Sequence, residues 1–238
     1  MFSELYTYLN IVKVMGVKEL SLTKDEKKKS LYEQVYLTIK DHIIKGVFDP
    51  GQKLVEAKLV SMLNTSRTPI REALRRLEME GLVVSRPSHG VEVTNFTKEA
   101  MNDLFECNSV IEGLAARKAA ENIDDESIDL LEECLILAGK YFEQNQLDKV
   151  TEKNTLFHDI IVNSSKNFTL IHMMEQISSQ VLAYRSFISS FKFRSTFMEE
   201  HWEIFHAIKS RDPDKAEELM RKHILTDCVA IASQIKNY

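Results

Sequence analysis

The stretch "NTSRTPIREALRRLEMEGLVVSRPSHGVEV", Asn64 to Val93, sets four arginines against the single Glu72 between Arg67 and Arg76. It then passes Gly81 into two short aliphatic runs around "PSHG". Ser66 or Thr68 can cap a helix, and Pro69 fits its first turn, where a missing N–H is tolerated. Ile70, Ala73, Leu74 and Leu77 form an apolar stripe at helical spacing, and Gly81 ends the helix. Arg67, Arg71 and Arg75, spaced by four, project along the other side with Thr68 and Glu72. "LVVSR" and "VEV" read as strands of a hairpin whose tip carries Arg86 and His89 outward.

The residues before this stretch complete a small module. "SLYEQVYLTIKDHIIKGVF" opens with Ser30 and Glu33 at capping-box spacing, and Leu31, Val35, Ile39 and Ile43 recur every four residues. A turn through Asp49, Pro50 and Gly51 leads to a second short helix with Val55, Leu59 and Leu63 facing inward. Three helices and a two-stranded wing make a winged helix-turn-helix. In such a module the start of the third helix enters the major groove of DNA, where guanidinium groups bond to guanine edges or phosphates. An arginine-bearing helix face can also be a merely solvated one, but that alternative predicts neither the cap, nor the turn, nor the wing.

Charge divides along the chain in the same sense. Its 238 residues carry a net charge of −5, made of 6 basic and 4 acidic groups in residues 1–29, 9 and 8 in 30–94, and 16 and 24 in 95–238. A local basic stripe joined to an acidic remainder is the pattern of a nucleic-acid reader fused to another module. With 4 prolines and 7 glycines in the chain, the composition favours helix. Cys107, Cys134 and Cys228 are widely spaced and odd in number, which suggests neither a disulfide framework nor a thiolate metal site and fits a cytoplasmic protein. Residues 1–29, ending in "TKDEKKK", read as an extension, and no stretch is suited to span a membrane.

From residue 95 onward six amphipathic helices are expected, over about 99–122, 124–144, 150–163, 168–189, 196–210 and 212–234, the last capped by Asp212 with Pro213 behind it. The predicted architecture is mainly α: an extension (1–29), a winged helix-turn-helix (30–94) and an antiparallel six-helix bundle (95–238).

"SLYEQVYLTIKDHIIKGVFDPGQKL", "SRTPIREALRRLEMEGLV" and "SRPSHGVEV" resemble the GntR family of bacterial transcription regulators, whose signature is S-R-T-P-x-R-E-A-L-R-x-L-x-x-x-G-L. The bundle resembles, more loosely, the FCD effector domain of the FadR subfamily in its shorter, VanR-like form. The resemblance implies a homodimer that reads a short palindromic operator in double-stranded DNA. It assigns DNA contacts to Ser66, Arg67, Thr68 and Arg71, and places His89 and Gly90 against the minor groove. Ala57 stands where some relatives carry a DNA-reaching arginine.

It further implies a divalent cation, zinc or nickel, held by an Asp and three histidines on the floor of an effector cavity. The histidines correspond to His158, His201 and His223, on three different helices. The Asp is Asn154 here, a neutral ligand one turn before His158. An open position on such a metal suits a small organic acid as effector. Many relatives place a carboxylate-binding arginine at Asn108, and Arg185 is a possible substitute. Taken without the resemblance, scattered histidines are ordinary packing residues, and the bundle would serve dimerisation alone. A metal-dependent hydrolase would need a general base beside the histidines. No H-E-x-x-H is present, and Asp159 points away from the metal face if His158 points toward it, so the chain is not expected to be an enzyme.

Overall fold

The computed structural model describes residues 30–87, 90–186 and 193–233, with the side chains of 185 and 186 excepted. The extension 1–29 and His89 therefore lie outside the described residues. Helix α1 (Leu31–Ile44) starts at Ser30, whose hydroxyl accepts from the Glu33 amide at 3.2 Å as the capping spacing predicts. After a turn with Gly51 at φ +75°, strand β1 (Lys53–Leu54) precedes α2 (Glu56–Leu63) and α3 (Arg67–Met79). The wing follows as β2 (Val83–Arg86) and β3 (Gly90–Val93).

Two local expectations are corrected. The wing is a three-stranded sheet in the order β1-β3-β2, because Lys53 and Leu54 pair antiparallel with Glu92 and Val91. A two-residue strand leaves no periodicity to read. Val55, expected to face inward, occupies the N-cap position of α2 and is exposed, while Leu59 is the buried residue of that helix.

The remainder is helical: α4 (Lys98–Asn122), α5 (Asp125–Glu143), α6 (Leu147–Ser164), α7 (Phe168–Ser186), α8 (Phe197–Lys209) and α9 (Pro213–Ala232). Thr97, Asp124 and Asp212 cap α4, α5 and α9 with side-chain oxygens, and Pro213 opens α9. Phe105, Leu131, Phe157, Ile161, Phe205 and Ile224 meet in the bundle core. Helices α4 and α9 pack closely enough that a Cβ on Gly113 would collide with Arg221.

A second core unites Tyr36, Ile39, Ile43, Ile70, Leu77 and Val93 of the winged helix, and Ala183 of α7 inserts into it. Helix α7 thus touches both modules. Beside Ala183, the buried Glu80 accepts from Tyr36 Oη at 2.5 Å, Lys40 Nζ at 2.8 Å and Ser179 Oγ at 2.9 Å. Burial raises the carboxyl's affinity for its proton, but the Lys40 charge and these three donors outweigh it and hold Glu80 below its usual value.

A candidate DNA-facing edge and a buried histidine cluster

The third helix separates its arginines by surroundings. Ser66 sits at the N-cap position, and Arg67, Thr68, Arg71 and Arg75 are all exposed along one side. Arg76 turns the other way. Its guanidinium lies 3.8 Å from the Tyr36 ring centroid and 3.2 Å from Glu33, so it braces α1 rather than facing outward. Arg71 is held in advance by a two-fold contact of its Nε with both Glu56 oxygens at 2.9 Å. In the wing, Arg86 is exposed and paired with Glu92, and Gly90 adopts φ +82° beside Lys53. That left-handed conformation is open to glycine at little cost.

The bundle gathers residues far apart in sequence. His158 on α6, His201 on α8 and His223 on α9 are buried, and one donor atom from each lies within 4.8 Å of the other two. The His201 and His223 rings are 4.4 Å apart between centroids, and those of His158 and His223 are 5.6 Å apart. Asn154, also buried, lies one helical turn before His158.

Each imidazole is oriented by a bond at Nδ1. That nitrogen meets the Glu112 carboxylate in His158, the Phe197 carbonyl at 2.7 Å in His201 and Glu200 at 2.8 Å in His223. The arrangement fixes the tautomer and turns Nε2 toward the cluster, as the outer shell of a histidine metal site does. His158 Nε2, His223 Nε2 and Asn154 Oδ1 are buried with no hydrogen-bond partner. Buried polar atoms are seldom left so, because desolvation goes uncompensated. A divalent cation would satisfy all of them. The donor set therefore fits the group that the resemblance implies.

The supporting residues were not visible in the sequence. Glu112, on α4, joins His158 to Asn108, whose side-chain amide donates to Glu112 at 2.8 Å. Asn108 is fully buried and points one amide group at this carboxylate rather than offering it to solvent. Arg194 forks onto Glu200 and Asp227, with Nη2 at 2.7 Å from each. Burial raises the Glu200 carboxyl, yet hydrogen bonds from His223, Arg194 and Thr196 hold it far below the usual range, so it is an anion in the folded protein. The only local hint was position: Glu200 precedes His201, and Asp227 follows His223 by one turn. The side chain of Arg185 lies outside the described residues. His172 and His206 are exposed, His206 stacks on Trp202, and His42 packs edge-on to Phe48, all apart from the cluster.

Residues 31–93 match the bacterial regulatory proteins of the gntR family, and residues 103–226 match the FCD domain. The chain belongs to the GntR family of transcription regulators and carries an FCD domain.

It is 28% identical over 207 residues to the HTH-type transcriptional regulator YdhC of Bacillus subtilis, covering 86% of this chain and 92% of YdhC. The HTH-type transcriptional repressor RspR of Escherichia coli is 27% identical, over 81% of this chain and 85% of its own. In fold, Escherichia coli McbR/YncC superposes with a TM-score of 0.75 at 22% identity, over 87% of this chain and 99% of that one. A GntR regulator from Rhodococcus gives a TM-score of 0.70, over 86% of this chain and 99% of the other. This GntR regulator is thus a DNA-binding transcription regulator and not an enzyme. No helix among its described residues is long and apolar enough to cross a membrane.

Proposed function

We propose that this GntR regulator is a cytoplasmic repressor that binds a short palindromic operator as a homodimer and responds to a small carboxylate. The sensor would be a divalent cation, zinc or nickel, held by Asn154, His158, His201 and His223. The observation that carries the sensor reading is the convergence of three buried imidazoles, each oriented through Nδ1, with His158 Nε2, His223 Nε2 and Asn154 Oδ1 making no hydrogen bond. Three histidines and one amide leave positions on a cation for an incoming ligand, and the cation would supply electrostatic capture of an anion. Asn108 and Arg185 would border that ligand.

On the DNA side, Ser66, Arg67, Thr68, Arg71 and Arg75 would engage the major groove and its phosphates, with Arg86, His89 and Gly90 at the wing. Exposure of the α3 arginines supports this assignment, and the repressor names of RspR and GlaR, the latter 28% identical over 200 residues, support repression. Homodimerisation is supported by exposed apolar pairs one turn apart on α4 and α9, Val110 with Leu114 and Leu225 with Val229. Two-fold symmetry would then match a palindrome.

Helix α7 offers the physical link. It packs on α4, which carries Glu112, and inserts Ser179 and Ala183 at the winged helix. A ligand changes operator affinity only insofar as it favours one disposition of these modules. The test is fluorescence anisotropy of metal-loaded, untagged protein on an operator fragment, with mono-, di- and tricarboxylates added. One of them is expected to change affinity by roughly 5- to 150-fold, the usual allosteric range. Operator affinity indifferent to every carboxylate and to removal of the metal would contradict the sensor reading and leave a bundle that only dimerises.

A further inference from the structure

Asn154 leaves the cluster without the carboxylate that the family pattern places there. One turn beyond His223 on α9 stands Asp227, which is 3% exposed. Its Oδ1 accepts from Arg194 at 3.1 Å from Nε and 2.7 Å from Nη2. Its Oδ2 lies 3.7 Å from His223 Nε2. Because His223 Nδ1 is committed to Glu200, Nε2 is the nitrogen left for a cation, and Asp227 is the carboxylate beside it.

Charge points the same way. The Arg194 guanidinium is shared between Glu200 and Asp227, so its charge is not committed to Asp227 alone. Coulomb attraction is screened far less in a buried site than in water, so a carboxylate this close to His223 Nε2 is felt by a cation there. The i, i+4 spacing of His223 and Asp227 keeps the carboxylate on the histidine's own face of α9.

We infer that Asp227 supplies, from α9, the anionic charge that Asn154 does not supply from α6. It acts by its field on a cation held through the three imidazoles. This rests on the metal reading proposed above. Asp227 is thereby a residue of the cation site, and Arg194 sets how much of its charge the cation meets.

The experiment is zinc titration of the full, untagged chain against a competing chelator at pH 7, for the parent and for Asp227→Asn, Arg194→Gln and the double variant Asn154→Asp/Asp227→Asn. Asp227→Asn is expected to weaken zinc binding by at least about 10-fold, and Asn154→Asp to restore most of that loss. Arg194→Gln, which removes the offsetting cation, is expected to tighten binding several-fold. A merely loosened structure would move zinc affinity the other way, so this arm holds even if Asp227→Asn folds poorly. Parent-like zinc affinity in folded Asp227→Asn would show that Asp227 serves only as the counter-ion of Arg194, and weaker binding in Arg194→Gln would overturn the charge reading by showing that the guanidinium acts by holding Glu200 and Asp227 in place. A parent chain that takes up no zinc would overturn the metal reading itself, a distinct result.

Discussion

The two candidate sites of this regulator are built in opposite ways. On α3, residues proposed to meet DNA lie within ten positions of one another and stand exposed, with Arg71 paired to the half-buried Glu56 as Arg86 of the wing is to Glu92. In the bundle, His158, His201 and His223 come from three helices, are buried, and are each oriented by a second residue. A polyanion as large as DNA can be read by an outward edge whose affinity comes from many screened contacts. A small ligand requires an enclosed site, where few contacts are strong because water is excluded. The difference teaches where each is vulnerable: the edge to loss of the residues that themselves meet DNA, the cluster also to loss of a residue that touches no ligand.

That contrast is sharpened first at Glu112. Glu112→Ala leaves His158 Nδ1 without its orienting carboxylate, and metal affinity is expected to fall by about 10- to 100-fold while the ligand set stays intact. Chelator competition measures it, and an unchanged affinity would make the carboxylate irrelevant to the cluster. At the edge, Arg71→Ala is expected to weaken operator binding roughly 10-fold or more at fixed salt, without changing metal content. Anisotropy on the operator checks this, and equal affinities would remove Arg71 from the interface.

Smaller effects are expected where the modules meet. Gly81 adopts φ +69°, and a Cβ there would fall 2.6 Å from Gln180 Nε2 of α7. Gly81→Ala should therefore cost about 1–2 kcal/mol of stability for the left-handed backbone alone. Thermal unfolding that matches the parent would show that the turn and α7 yield freely. Ser179→Ala removes one of three donors to Glu80, an effect on the order of 1 kcal/mol.

The pH dependence of that junction has a definite sign. Glu80 binds its proton less readily in the folded than in the unfolded chain, so its stabilising contribution is complete above its unfolded value, 4.5, and is lost as pH falls through the lower folded value. In Glu80→Gln that acid-side loss is expected to shrink. An acid limb as steep as the parent's would place the sensitivity elsewhere.

The sequence made the edge legible and the cluster only half so, for physical reasons. Helix α3 is a local object: its stripe, its arginines at spacing four and Gly81 after it are all within one window, and the exposed side is simply the side without Ile70, Leu74 and Leu77. The bundle's helices were equally readable from caps such as Asp124 and Asp212. Strand β1 was missed because two residues form a strand only by pairing with β3. The histidines were singled out by resemblance, and nothing in their own surroundings marked them. Glu112 lies 46 residues from the histidine it orients, and Arg194 lies 33 from Asp227, separations over which periodicity carries no information. The same holds for Glu80 and Ser179, which meet only because α7 folds back onto the winged helix.

The central claim, a DNA reader joined to a bundle that holds a cation, is tested most directly by elemental mass spectrometry of the untagged protein beside its His158→Ala/His201→Ala variant. The account predicts about one equivalent of zinc or nickel per chain in the parent and none in the folded variant. Absence of metal from both, after incubation with either ion, would contradict it.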